Sequence, residues 1–380
     1  MIVTIPKEIN DGETRVAVTP STVKEMVKAG LTVQIESGAG EGSFISDDDF
    51  TNAGAEIVNY SDKLYQNTDI ILKVIAPTNK EISLYNDKVT VISFLQTTRE
   101  LDTVNNLLNK SITGFSMHLI PRTTLAQKMD ALSSQANIAG YKSVLIAASK
   151  LGIYMPLLMT AAGTIRPAKV LILGAGVAGL QAIATAKRLG SQVEAFDVRP
   201  VVKEQVESLG AKFIEVESGS EDGVGEGGYA KETTDDYKQK QQELIQERIS
   251  LADAVITTAL IPGKPAPILI PKSMVEKMKP GSVIMDLAAE NGGNCVLTQK
   301  DKVVEFNQVT IDGTSNIPGT MPVHATELYA KNICAFLLYM INDGKINIDL
   351  DDEIISGSLF TFDGKITHEP TLELIQSKKE

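Results

Sequence analysis

The chain has 380 residues, 43% hydrophobic and 22% charged, which excludes a disordered or fibrous protein and leaves room for two or three domains. Its 36 basic and 48 acidic residues give a net charge of -12, which argues against a nucleic-acid footprint or a basic lipid-binding face. Two cysteines without CxxC spacing, Cys295 and Cys334, exclude a disulfide scaffold and a zinc ribbon. The three histidines, His118, His324 and His368, lack metal-ligand spacing, so no metal site is expected.

The N-terminal run MIVTIPKEINDGETR lacks the basic and apolar regions of a secretory leader, so a cytoplasmic setting is expected. IVTIP, LTVQIES, IILKVIA and VTVISFL then read as strands. Between them PSTVKEMVKAG and SDDDFTNAGAEIV read as helices, the first opened by Ser21 or Thr22 and closed by Gly30. A long helical stretch runs from about Leu125 to Leu151. Leu151–Ile165 carries no charge but is shorter than the roughly 20 apolar residues of a membrane span, and reads as a buried helix. Six further strand candidates follow: KVLILGAG, QVEAFDV, AKFIEV, DAVITTAL, SVIMDLA and VVEFNQVTIDG. Near Thr326 a second apolar helix begins, ELYAKNICAFLLYMI, suited either to a dimer surface or to the interior. The tail returns to strand-like pieces such as SLFTFDGKITH.

Strands separated by helices imply parallel βαβ units. The expected fold is α/β, with two Rossmann-like doubly wound domains joined by two long helices and a ligand cleft between them. The expected division is a discontinuous N-terminal domain, 1–125 plus 330–380, and a nucleotide domain, 126–329, with no membrane span.

The sharpest motif is Gly174-Ala175-Gly176-Val177-Ala178-Gly179, between a strand ending at Leu173 and a helix starting at Leu180. The first glycine permits a tight turn and the second lets the backbone approach a pyrophosphate. The third lets helix and strand pack closely, and the helix N-terminus faces the anion. Asp197 ends the next strand, placed to accept hydrogen bonds from the adenine ribose and to repel a 2′-phosphate. NAD(H) is therefore expected over NADP(H), a preference that nearby Arg199 weakens slightly.

The segment Pro121–Asp130 leads into the long helix, and from Gln127 onward Gln127, Asp130, Ser134 and Asn137 fall on one helical stripe, beside an apolar stripe of Met129, Leu132 and Ala136. Such a stripe can be a solvated face or can hold a nicotinamide. Gln127 can both donate to and accept from a carboxamide, and Arg122 can pair with Asp130 across the turn. Residues 215–236 form an acidic, glycine-rich insert with eight acids, one base and one aromatic, Tyr229. It is expected to be a mobile loop, either able to close on a ligand or inert.

Together these features resemble the NAD(H)-binding component of proton-translocating NAD(P) transhydrogenase, over essentially the whole chain. GETRVAVTP (12–20) looks like the N-terminal signature shared with alanine dehydrogenase. The Arg122/Gln127/Asp130 segment resembles the family's nicotinamide loop, GGYAKE (227–232) its mobile loop tip, and AAENGGN (288–294) the motif after its fifth strand. The resemblance implies nucleotide contacts from Arg122, Gln127, Asp130, Ser133, Gly174, Gly176, Val177, Gly179, Asp197, Val198, Arg199, Gly228, Tyr229 and Leu260. Gln127 would position the nicotinamide, helped by Arg122 and Asp130. The resemblance also implies a homodimer peripheral to the membrane. NAD(H) would be bound here and NADP(H) on a partner component, with the proton path on separate membrane subunits. The alternative is an alanine dehydrogenase. Arg15 and Lys73 match that enzyme's substrate residues, but FLQTT (94–98) offers Gln96 where its histidine would stand. Arg15 and Lys73 are therefore read as structural ion pairs.

Overall fold

The computed structural model describes residues 1–59, 64–216, 235–261 and 264–378. The chain separates into two compact units, Met1–Gln135 with Gly319–Glu380, and Ala136–Pro318. Among the described residues no helix is long and apolar enough to cross a membrane.

The first unit is built on an eight-stranded sheet. Its order is Lys365–Ile366, Leu359–Phe362, Thr113–Ser116, Thr90–Ser93, Ile70–Leu72, Ile2–Ile5, Thr32–Glu36 and Glu56–Val58. The six strands from the N-terminal segment are parallel, and the two C-terminal strands add an antiparallel edge. Both faces of the central strands are covered. Ile70, Leu72 and Ile92 enter one apolar cluster, while Ile71 and Val91 enter another. This two-sided burial explains why these strands read as continuous apolar runs rather than alternating ones. At the edge, a Cβ on Gly114 would lie 2.4 Å from the ring of Phe360, so the returning strand packs against a position only glycine can fill.

Helix Pro20–Lys28 starts slightly earlier than its pattern indicated. Thr19 is the N-cap, Pro20 the first helical residue, and Thr22 closes a reciprocal capping box. Gly30 follows the helix at φ +83° as expected. The run SDDDFTNAGAEIV is only half helix: Asp47–Asn52 is capped by Ser46, Gly54 turns the chain at φ +101°, and Glu56–Val58 is an edge strand. The late apolar helix, Pro322–Met340, is interior. It buries Tyr329, Ile333, Phe336, Leu337 and Met340 in the first cluster, while Val323 and Leu328 stay exposed.

The second unit carries a seven-stranded sheet. Its order is Lys212–Ile214, Gln192–Phe196, Lys169–Leu173, Ala254–Thr257, Val283–Asp286, Val309–Asp312 and Val303–Phe306. The chain starts at the centre, moves outward one way, then crosses back and moves out the other way, so Lys169–Leu173 borders the topological switch point where nucleotides bind. VVEFNQVTIDG is two antiparallel strands, not one, because Asn307 and Gln308 both take positive φ, the geometry of a two-residue hairpin turn.

Leu151–Ile165 is not a buried helix. Pro156 bars a continuing helix, and Leu158–Thr160 pairs with Gly163–Ile165 in a small hairpin. Its apolar side chains face out: Ile153, Tyr154, Leu157, Met159 and Ile165 are exposed, Met159 by 72%.

Candidate functional site

In the second unit the glycine turn has the expected geometry. Gly174 sits at φ +103°, and its N–H donates to Phe196 O at 2.8 Å, tying the turn to the neighbouring strand. A Cβ on Gly179 would lie 1.9 Å from Gly174 O, so any side chain there would push helix Val177–Arg188 off the turn. Gly176 is the N-cap and provides no capping side chain, which leaves the first helical amides to an anion. A Cβ on Gly176 would meet nothing within 4 Å except Arg199 Nη2, at 3.8 Å, so the backbone is open to a close-approaching phosphate. The residues present therefore fit a dinucleotide.

Asp197 is buried and its carboxylate is fully engaged. Oδ2 accepts from Ala175 N at 2.7 Å, inside the glycine motif. Arg199 donates to it from its backbone N, from Nε and from Nη2, at 2.8–2.9 Å. The acid thus holds the turn and a guanidinium together. Val198 is half-buried, while Val177 and Leu260 are exposed.

Three supports of this region escaped the sequence reading. Gly140, on helix Ala131–Lys150, admits Ala178: a Cβ would lie 2.1 Å from Ala178 O. Thr258 donates to Gly174 O at 3.1 Å and would clash with a Cβ on Gly174. The largest omission is Asp286, at the end of Val283–Asp286. Wholly buried, it accepts five hydrogen bonds, from Thr257 Oγ1, Ala288 N, Asn294 N, Cys295 N and Thr298 Oγ1, at 2.6–3.0 Å. Asn294, also wholly buried, bonds Ala259 through both its N–H and its C=O and donates to Pro267 O. AAENGGN is therefore a loop knotted to the strand ends beside the glycine turn. The acid at the C-terminal end of SVIMDLA was the available signal.

In the first unit, Arg122 and Gln127 are exposed and Asp130 is half-buried. The segment is not one helix. Leu125–Met129 is a 3-10 turn, Asp130 leaves helical geometry at ψ +81°, and Ala131 starts the long helix. Gln127 and Ser134 therefore do not share a regular helical stripe. The partner the structure gives Asp130 is Ser133, whose N and Oγ donate to its two carboxylate oxygens at 2.9 and 2.6 Å. Asp130 thus caps the long helix and fixes where the 3-10 turn meets it. Ser133 is committed to that bond. Gly228 and Tyr229 lie outside the described residues, as do 217–234 generally; Asp235, expected in the insert, begins helix Asp235–Ile249.

Arg15 and Lys73 are ion-paired as expected. Arg15 pairs with Glu13 at 2.7 Å and donates to Gln135 at 2.8 Å. Lys73 is 1% exposed and bridges Glu8, at 2.9 Å, and Glu81, at 2.7 Å. Burial alone would lower its pKa, but the two carboxylates raise it, keeping it an ammonium. Burial pushes the Glu8 carboxyl up despite that partner. The His118 ring packs tilted against Phe94, with ring centres 4.7 Å apart, its Nδ1 sealed from solvent and unpartnered, and burial lowers its pKa to about 4.

Two family models cover the chain: the N-terminal domain of alanine dehydrogenase/PNT matches residues 4–139 and its C-terminal domain matches 143–369. The chain belongs to the alanine dehydrogenase/PNT family. Within it, the chain is 46% identical to an NAD(P) transhydrogenase subunit alpha polypeptide of Rhodospirillum rubrum, covering 97% of this chain and 98% of that one. It is 30% identical to alanine dehydrogenase of Mycolicibacterium smegmatis, over 97% and 95%. The crystal structure of transhydrogenase from Sinorhizobium meliloti superimposes with a TM-score of 0.88 at 43% identity, over 96% and 100% of the two chains. The chain is thus an oxidoreductase subunit of the transhydrogenase type, with alanine dehydrogenase a more distant relative.

Proposed function

We propose that this chain is the NAD(H)-binding component of a proton-translocating transhydrogenase. It works as a homodimer, peripheral to the membrane through partner subunits. The observation that carries the reading is the glycine turn with Asp197 hydrogen-bonded into it. That arrangement offers amides to a pyrophosphate and sets an acid at the strand end where the adenosine ribose would lie. Bound NAD(H) would supply the hydride, which passes to or from NADP(H) on the partner component. Direct transfer between two nicotinamides needs no side-chain acid or base, so the protein's work is binding and orientation. Gln127 is assigned to the nicotinamide carboxamide, with Arg122 beside it. Asp130 acts through Ser133 to hold the turn that carries them, and is a positioning residue. Gly228 and Tyr229 are assigned to the nucleotide from the family resemblance alone. The exposed apolar side chains of the hairpin at 158–165 favour burial against a second copy.

Reduction of an imino acid, the alanine dehydrogenase alternative, needs a proton donor near the reacting carbon. FLQTT (94–98) offers Gln96 where that enzyme's histidine would stand, and an amide cannot serve. NADH oxidation should therefore fail with pyruvate and ammonia and proceed with an NADP analogue and a purified NADP(H)-binding partner; the opposite pattern would refute the assignment. Gln127→Asn should slow hydride transfer at least tenfold while changing NADH affinity less than threefold. Equal losses in both would remove the positioning role.

A further inference from the structure

We infer that the second unit carries a separate anion site, centred on Arg248 at the end of its sheet remote from the glycine turn, and that this site takes a short chain of linked phosphates.

Strands Lys169–Leu173, Gln192–Phe196 and Lys212–Ile214 all begin at this end. Lys169 lies opposite Gln192 in the ladder, and Glu194 opposite Lys212. Side chains alternate along a strand, so these four share one face of the sheet. Helix Asp235–Ile249 covers that face, with Ile245 and Ile249 packed among Leu171, Phe196 and Ile214. Arg248, in its last turn, closes one side of a cleft of about 330 Å³. Lys187 reaches the rim from helix Val177–Arg188, which packs on the opposite face. It lies across the turn at Gly210, where a Cβ would stand 3.4 Å from its Cε. The length of Lys169–Leu173 puts the cleft about 16 Å from Gly174.

The charged lining of this cleft is four cations, Lys169, Lys187, Lys212 and Arg248, against one carboxylate, Glu194, in a chain of net charge -12. Glu194 does not satisfy them. It lies 3.8 Å from Lys212 Nζ and 3.6 Å from Arg248 Nη1, both longer than a hydrogen bond. Glu247 stands 3.5 Å from Nη2, also long. Arg248 Nε is buried and has no partner among the described residues. The guanidinium is thus held by packing and loose charge pairing, with its donors uncommitted, and its side chain is still 24% exposed. A phosphate group matches such a fork in charge and geometry, while the lysines add charge with little demand on direction. The cations spread over three adjacent strands, about 10 Å across, which suits two or three linked phosphates better than one.

The test titrates inorganic pyrophosphate into the full chain by calorimetry, with and without saturating NADH. Saturable binding should survive NADH, exceed that of orthophosphate at least tenfold, and weaken as salt is raised. ADP, titrated with NADH present, separates the sources: affinity equal to that of pyrophosphate assigns the cleft to the phosphate tail of a nucleotide, and weaker affinity to the free polyanion. Arg248→Gln and, independently, Lys169→Gln should each weaken pyrophosphate at least fivefold, and Glu194→Gln should tighten it at least threefold. Lys24→Gln, at an exposed lysine of the first unit, should change nothing. NADH affinity should stay within twofold in all four variants. Binding that NADH abolishes, or that ignores the cleft variants, puts the anion on the glycine turn or on diffuse surface charge and overturns the inference, as does no binding at all. Should Arg248→Gln fail to fold, Lys169→Gln and Glu194→Gln decide the outcome. Failure of the unaltered chain to bind NADH would refute the functional assignment alone, and the cleft variants would still decide the anion site.

Discussion

Replacing Asp286 with asparagine changes one atom in a wholly buried site, and the hydrogen-bond geometry sets the cost. Oδ1 accepts from the Thr257 hydroxyl and from Ala288 N; Oδ2 accepts from the Thr298 hydroxyl and from the backbone amides of Asn294 and Cys295. An asparagine must turn its NH2 toward one set. Hydroxyls can rotate and accept, but backbone N–H groups cannot. With the NH2 on the Oδ2 side, two amides lose their acceptor; on the Oδ1 side, only Ala288 N does, so the amide should settle there. The cost is then one charge-assisted bond plus one buried donor left unsatisfied, about 2–4 kcal/mol, and Asp286→Ala should exceed about 4 kcal/mol. The assay is urea unfolding followed by far-ultraviolet circular dichroism, with hydrogen exchange of peptides spanning 286–298. The Ala288 amide should lose protection in Asp286→Asn while Asn294 and Cys295 retain it. A loss below about 1 kcal/mol with unchanged exchange in both variants would refute the view that this carboxylate anchors the loop.

Lys73→Met strands Glu8 and Glu81 without their shared cation and should cost about 3–5 kcal/mol at pH 8, less at pH 5, since burial already pushes the Glu8 carboxyl up toward protonation. An equal loss at both pH values would contradict this. Because the His118 pKa is lowered from 6.5 to about 4, the unfolded chain binds its proton first as pH falls. Its contribution is therefore complete above pH 6.5 and is lost progressively toward pH 4, a swing of at most about 3 kcal/mol. The stability difference between the unaltered chain and His118→Phe should change across that window, in favour of the phenylalanine variant as the pH falls; a flat difference would show that the ring titrates normally.

The alternation of strands and helices, and the glycine turn with its acid, could be read directly because each is a local pattern with one physical meaning. Length misled at Leu151–Ile165: an uncharged run fits a core helix, yet Pro156 and Gly163 dictate a hairpin, and its exposure is not encoded in hydropathy. Helix periodicity failed at 125–137 because Asp130 breaks the register, using its side chain as a cap. Asp286, and the part Asn294 plays within AAENGGN, stayed hidden for a different reason. Their partners come from several separate stretches of chain, and no spacing rule announces a hub of that kind. The same holds for Gly140, whose need to be glycine exists only because Ala178 packs against it.

The first sheet is finished by its last residues, and this sets an order for synthesis. Until Leu359–Phe362 emerges, the edge at Thr113–Ser116 has no antiparallel neighbour, and until Pro322–Met340 emerges the first cluster lacks Tyr329, Phe336 and Leu337. The unit formed by Ala136–Pro318 is contiguous and has no such wait. On the ribosome, then, the middle of the chain can become protease-resistant before its beginning does, the reverse of the usual N-terminal-first order. Arrested chains ending near residue 350, whose last stretch the exit tunnel still holds, should show protection within 136–216 and 264–318 ahead of a still-cleavable 1–135. Early protection of 1–135 would show that the parallel strands alone hold a fold while they wait.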